Sequence, residues 1–418
     1  MRNATLFCFF SGLVIQTALF SCSQKSREVP VPEEVEVEIV KTIQQEGANF
    51  EEPFLFNSNE DKTFLSWIEK TEGFSQLKFS TFEENKWSEP ILVAEGDNWF
   101  VNWADYPQIN AFEDGTLIAF FLKKSGPGTF SYDIMITISK DGINWDPPFV
   151  LHDDLTQTEH GFVSMVPWGP NMLISWLDGR NTGGGHDGHG HDGHQGQMSL
   201  RAAVLDKDGN KKEEWLLDER VCDCCQTTTG MTPDGPIVIF RDRSENEIRD
   251  IGFIKWQEDS WSSTMPVFMD LWEIKACPVN GPRVSTLGNT VAVAWYTAAK
   301  ENPEVKVSFS SNNGDSFKKP TKVDLGKTIG RVDIELLDED NAMVSWMEEG
   351  KIMLRKVEST GKLGKPITVA VASEKRSSGF PQISKNNSHL WISWTDDSSA
   401  YKFIQLAKIG LENLMINR

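Results

Sequence analysis

The chain has 418 residues, 39% of them hydrophobic and 11% aromatic, and a formal net charge of −20. That length can bury a sizeable core in one large domain or two smaller ones. The acidity argues against nucleic acid or an anionic bilayer surface as a partner, since both would be repelled, and it suits a soluble monomer.

Residues 1–21 read as an export signal. Arg2 supplies a short positive start, and "TLFCFFSGLVIQTALF" is the apolar stretch behind it. "LFSC", Leu19 to Cys22, resembles a bacterial lipoprotein box. The resemblance implies that Cys22 is lipidated and that the membrane is met through this N-terminal lipid only. The mature protein would then sit in the bacterial cell envelope, on its periplasmic or surface face. An ordinary secretory signal cut nearby is the alternative, and it also leads out of the cytoplasm. Residues 22–34, with "SQKSREVPVPEE", form a polar tether. Beyond them remain Cys222, Cys224, Cys225 and Cys277. An even count in an oxidising compartment makes disulfides the default.

From residue 35 to 418 the chain repeats itself. Seven segments share an apolar run, a small residue or two, an aromatic and a polar end. They are "LSWIE" at Trp67, "IAFFL" at Phe120, "ISWLD" at Trp176, "VIFRD" at Phe240, "VAWYT" at Trp295, "VSWME" at Trp346 and "ISWTD" at Trp394. A period of about 50 residues means a propeller or a solenoid. The fifth repeat resolves into four strands: "GPRVSTL", "TVAVAWYTA", "EVKVSFSS" and "PTKVDLG". Their alternation is β-like, and Gly, Asn and Asp punctuate them. One such sheet cannot cover both of its faces, whereas seven packed radially cover each other. The seventh repeat stops after a third strand, "YKFIQLAKI", and "VEVEIVKTI" at 35–43 is the candidate to complete it. The expectation is an all-β domain, a seven-bladed β-propeller of four-stranded blades closed by the N-terminal strand. Six blades plus an appended sheet is the alternative.

Two connections carry a further mark. "SKDGINW", Ser139 to Trp145, and "SSNNGDSF", Ser310 to Phe317, approach the pattern S-x-D-x-G-x-x-[WF]. In such a turn the acid or amide side chain binds turn amides, Gly takes positive φ and the aromatic plugs between sheets. They resemble the Asp boxes, or BNR repeats, of the sialidase-like superfamily. The resemblance covers most of the mature chain as architecture but only these boxes as sequence. It implies a carbohydrate-directed role, as an exo-glycosidase or a glycan-binding module, with a glycan or a small anionic ligand on the propeller rim.

In a propeller, the loops entering each first strand and leaving each second strand share one face. Sialidase-type chemistry would need an arginine clamp for a carboxylate, a tyrosine nucleophile and a carboxyl acid/base. Arg180, Arg241, Arg243 and Arg283 could form the clamp, with Arg331 beside them. Asp105 or Glu159 could be the acid/base, and Tyr296 is the best placed of four tyrosines. The Arg-Ile-Pro segment that opens sialidases is missing, which leaves open whether the chain is an enzyme. Rim ion pairs with the many carboxylates are the plainer role for these arginines.

The same face collects a second chemistry. "GGGHDGHGHDGH", residues 183–194, offers His186, His189, His191 and His194, and "RVCDCCQ", residues 220–226, offers Cys222, Cys224 and Cys225. His160 and Cys277 map nearby. Thiolates with imidazoles suit copper or zinc, which would be the only cofactor implied. Adjacent Cys224 and Cys225 are poorly placed to bond each other, so one of them should reach Cys277, as a disulfide or as a fellow ligand. A non-catalytic, protein-binding scaffold is the third reading.

Overall fold

The computed structural model describes Met1 and residues 35–58, 61–182 and 196–416. The remainder of the export signal, Cys22, the tether, and His186, His189, His191 and His194 lie outside the described residues.

The described residues form seven antiparallel sheets, one per repeat. The innermost strands are Asn49–Asn57, Gln108–Ala111, His160–Trp168, Thr228–Thr232, Arg283–Leu287, Thr328–Asp338 and Gln382–Lys385. Each touches the next in chain order, and the last touches the first, so the ring is closed. Glu38–Ile43 pairs antiparallel with Phe403–Gly410 and supplies the fourth strand of blade seven. The expected seven-bladed propeller, with the N-terminal strand closing it, is the observed fold. Blades one and four add a two-residue bridge, Lys86–Trp87 and Ser260–Trp261, beside their outer strands.

Burial explains the repeat. The second strand of each blade lies mid-sheet between two neighbouring blades, so both of its faces are covered and it reads as a near-continuous apolar run. Thr290–Thr297, "TVAVAWYT", is buried at all but one position. Trp67, Phe120, Trp176, Phe240, Trp295, Trp346 and Trp394 are all buried at this place. The polar residue that follows has a task in two blades. Trp176 Nε1 donates to Asp178 Oδ2 at 2.9 Å, and Trp346 Nε1 to Glu348 Oε2 at 2.7 Å. Each bond satisfies an indole that would otherwise be buried unpaired.

The two marked turns hold themselves together. Asp141 accepts the amides of Ile143 and Asn144 at 2.9 and 2.7 Å, and Ser139 Oγ accepts Gly142 N at 2.9 Å. Asn312 Oδ1 and Ser310 Oγ play these parts in the other turn, where Gly314 has φ +82°. Trp145 meets Phe79 of blade one and Phe317 meets Phe253 of blade four, both edge to face. The aromatics thus bridge to the preceding blade.

At the opposite end of the channel the inner strands are bulged. Blades one, three and six slip register near their first residues, with Glu52, Phe162 and Arg331 at φ 59°, 52° and 55°. Bulges re-aim side chains at sheet ends. Here they shape the channel mouth that the entering loops surround.

Candidate functional site

The loop entering blade four carries Cys222, Cys224 and Cys225, whose sulfurs lie within 4.8 Å of one another. Cys222 Sγ and Cys225 Sγ are 3.6 Å apart. Cys277, in the loop entering blade five, meets the Cys224 thiol. Two consecutive blades therefore deliver four sulfurs to one place, as the repeat register implied. The disulfides expected from the cysteine count are not formed: all four thiols are free, and 3.6 Å is far beyond an S–S bond of about 2 Å. They pack instead as a hydrogen-bonded cluster.

A guanidinium organises that cluster. Arg249 Nη1 donates to Cys222 Sγ at 3.3 Å, while its Nη2 holds Glu247 at 2.8 Å. Burial opposes ionisation of Cys222, but bonds from Cys224 and Cys225 and the charges of Arg249 and Arg241 carry its pKa well below the ordinary thiol value. The Cys277 thiol is also lowered, chiefly by its bond with Cys224. Burial, with the bond to Cys222, pushes Cys224 and Cys225 up. The arrangement is two thiolate-prone sulfurs facing two protonated ones.

Next to this lies a carboxyl pair. Tyr132 Oη sits 3.0 Å from Asp105 Oδ2 and 2.9 Å from Glu159 Oε1, and Phe162 N donates to Asp105 Oδ1 at 2.7 Å. A phenol has one proton, so Tyr132 can donate to one carboxylate and must accept from the other, which is then protonated. Burial pushes Asp105 up to about 7 against its bonds from Phe162 and Tyr132. Burial also raises Glu159, helped by the charges of Asp105, Asp223 and Cys277. One shared proton on this pair follows from both the geometry and the charge. The fully buried Tyr132, rather than Tyr296, is hydrogen-bonded to this carboxyl pair.

Each candidate clamp arginine is engaged within the protein. Arg241 is buried and donates to the carbonyls of Arg249, Asn280 and Tyr296 at 2.7–3.3 Å. Arg243 pairs with Asp223 and Glu247 at 3.1 and 2.7 Å. Arg180 pairs with Asp178 at 2.7 Å. Arg283 lies over the Tyr106 ring, 3.9 Å from Asp333, and Arg331 donates to Ser378 Oγ at 2.8 Å. Tyr296 packs edge-on against Trp272. His160 belongs to a cluster with Asp133, His152, Asp154 and Asp178, and shares no sulfur ligand group.

Tyr132, Asp133 and Arg249 escaped the sequence reading for one reason. They begin, or shortly precede, third strands, whose starts share the loops that leave the second strands but carry no repeated mark. "SYDIM" and "EIRDIG" were the available signals.

No protein-family model matches the chain, and no curated protein does. Solved structures do. Polysaccharide lyase Uly1 superposes with TM-score 0.56 at 9% identity, covering 90% of this chain and 100% of that one. A protein of unknown function from Dyadobacter fermentans gives TM-score 0.51 at 12% identity, covering 90% and 99%. The microbial sialidase Hz136 gives 0.41 at 10% identity, covering 72% and 63%. At these identities the likeness is one of fold, and the neighbours include glycan-active propellers.

Proposed function

We propose that this chain is a metal-binding propeller that holds a thiophilic cation, copper(I) or zinc, through Cys222, Cys224, Cys225 and Cys277. The observation that carries the reading is the convergence of four free thiols from two blades around one buried guanidinium. The spacing fits: sulfurs about 2.3 Å from a tetrahedral ion stand about 3.8 Å apart, against 3.6 Å between Cys222 and Cys225. The charge fits as well. A thiolate set is strongly anionic, and Arg249 and Arg241 beside it offset that charge. With Cys22 lipidated, the protein would work tethered in the cell envelope.

The test is metal analysis with thiol counting on protein exported to the periplasm and purified without air. About one thiol-bound equivalent of copper or zinc is expected, lost in Cys224→Ser, with thiols released when the metal is chelated. Quantitative pairing of all four cysteines into disulfides in the exported protein would refute the reading.

A carbohydrate-directed role is the second reading, and the Asp105–Tyr132–Glu159 cluster favours it. A cavity of about 440 Å³ runs along the inner strands, lined by Gln108, Asn110, Ser164, Thr228, Arg283 and Gln382. Asp333 and Glu335 line it too, so the amide and hydroxyl groups around Arg283 suit a sugar better than a small anion. Retention of an oligosaccharide, lost in Arg283→Gln, would support it.

A further inference from the structure

We propose a second cation site, separate from the thiols, at the junction of blades two and three, built from His152, His160 and Asp133 and oriented by Asp154. His160 opens the inner strand of blade three and is fully buried, and His152 in the preceding loop is 6% exposed. One nitrogen of each ring and an oxygen of Asp133 lie within 4.8 Å of each other. His152 Nε2 and Asp133 Oδ1 are 3.6 Å apart, close to the roughly 3.4 Å separating two ligands held about 2.1 Å from a tetrahedral zinc.

Unpaired atoms point to a missing ligand. His152 Nε2, both ring nitrogens of His160 and Asp133 Oδ1 are buried without a hydrogen bond. A polar atom buried without a partner is costly, and with Asp154 beside His160 Nε2 the remaining three call for a shared one. The other side of the pair is furnished. Asp154 Oδ1 takes His152 Nδ1 at 2.6 Å, and Asp154 Oδ2 stands 3.2 Å from His160 Nε2. Thr156 in turn bonds Asp154. One carboxylate thus fixes His152 and faces His160, leaving His152 Nε2 and His160 Nδ1 without partners. A carboxylate behind a ligating imidazole is the usual support of a metal-binding histidine.

The charge is favourable. Arg180 faces the site but is bound to Asp178 at 2.7 Å, with Asp154 3.8 Å away. Asp178 is therefore not counted as a ligand. The rings stack 3.7 Å apart at 9°, a geometry in which their lone pairs run parallel. Seating an ion requires them to splay. Two imidazoles and one carboxylate select a borderline divalent cation of the zinc, cobalt or nickel kind over calcium or magnesium.

Cobalt(II) titration of the chelator-stripped, reduced, full chain tests this, with the four tract histidines replaced by asparagine. Two equivalents are expected, one with sulfur-to-cobalt charge-transfer absorption and one without. His152→Gln and Asp133→Asn should each weaken the sulfur-free equivalent at least 100-fold and leave the sulfur band and the melting curve in place. Asp154→Asn should weaken it about 10- to 100-fold. Asp133 is 24% exposed, so its variant should fold even where the His152 variant does not. Loss of the sulfur band alone would refute the thiol reading and leave this one standing. Absence of a sulfur-free equivalent, or its persistence in both variants, would overturn this site and place water between the rings.

Discussion

At the scale of single residues, the channel mouth is governed by protons trapped in a dry place. Asp105 ionises near 7 in the folded chain, against an ordinary 3.8. The folded state therefore holds a proton that the unfolded chain has already lost. Stability from this group is full below about pH 3.8 and is lost as pH rises through about 7. Asp105→Asn removes the ionisable group and can still donate to Tyr132. We expect the variant to exceed the parent by roughly 1–3 kcal/mol at about pH 8 and to match it near pH 4. Urea unfolding across that range checks this, and equal pH slopes for the two proteins would refute it. Residue types made this neighbourhood partly legible. Asp105, Glu159 and the cysteines stand out in the text because acids and thiols do so. Tyr132 and Arg249 do not, because their roles come from partners distant in the chain: 27 positions for Tyr132 and each of its two acids, and 27 for Arg249 and Cys222. The arginines show the opposite error. Arg241 looked like ligand-binding equipment, yet it serves backbone carbonyls, and its truncation would report on folding before function.

At the scale of elements, turns and strands followed local chemistry closely. The turn at Ser310–Phe317 needs Gly314 because its φ is +82° and an added Cβ would lie 2.8 Å from Ile237 Cδ1. Gly314→Ala should destabilise the domain by more than about 1 kcal/mol, read as a lower urea midpoint at unchanged slope. An unchanged midpoint would mean that the turn relaxes freely. Strand positions were readable because a mid-sheet strand covered on both faces has to be apolar throughout, and an outer one such as Lys211–Asp218 does not. The bulges at Glu52, Phe162 and Arg331 were not readable. Positive φ at Glu, Phe and Arg has no local signature and is imposed by packing at the channel mouth.

At the scale of the whole molecule, ring closure is the decisive contact. Glu38–Ile43 covers the edge of Phe403–Gly410, and Ile43 packs with Ile404 and Leu406. Deleting residues 35–43 exposes that edge and a strip of core. The expected result is a loss of at least about 3 kcal/mol and association through the bare strand. Thermal melting and gel filtration would show it, and a monomer with an unchanged midpoint would argue that blade seven is stable as three strands.

The sequence by itself determined the periodic burial, and with it the number of blades and the face to which each loop belongs, because repeated strands leave a repeated apolar pattern. It also pointed to a Cys/His cluster spanning blades three to five. Tertiary structure alone decided which of them meet. It set Cys224 against Cys277, joined Tyr132 to two acids, and drew His160 away from the sulfurs to His152. Such pairings depend on how neighbouring blades are angled and on which groups can be buried with a partner, and no stretch of chain carries that information locally.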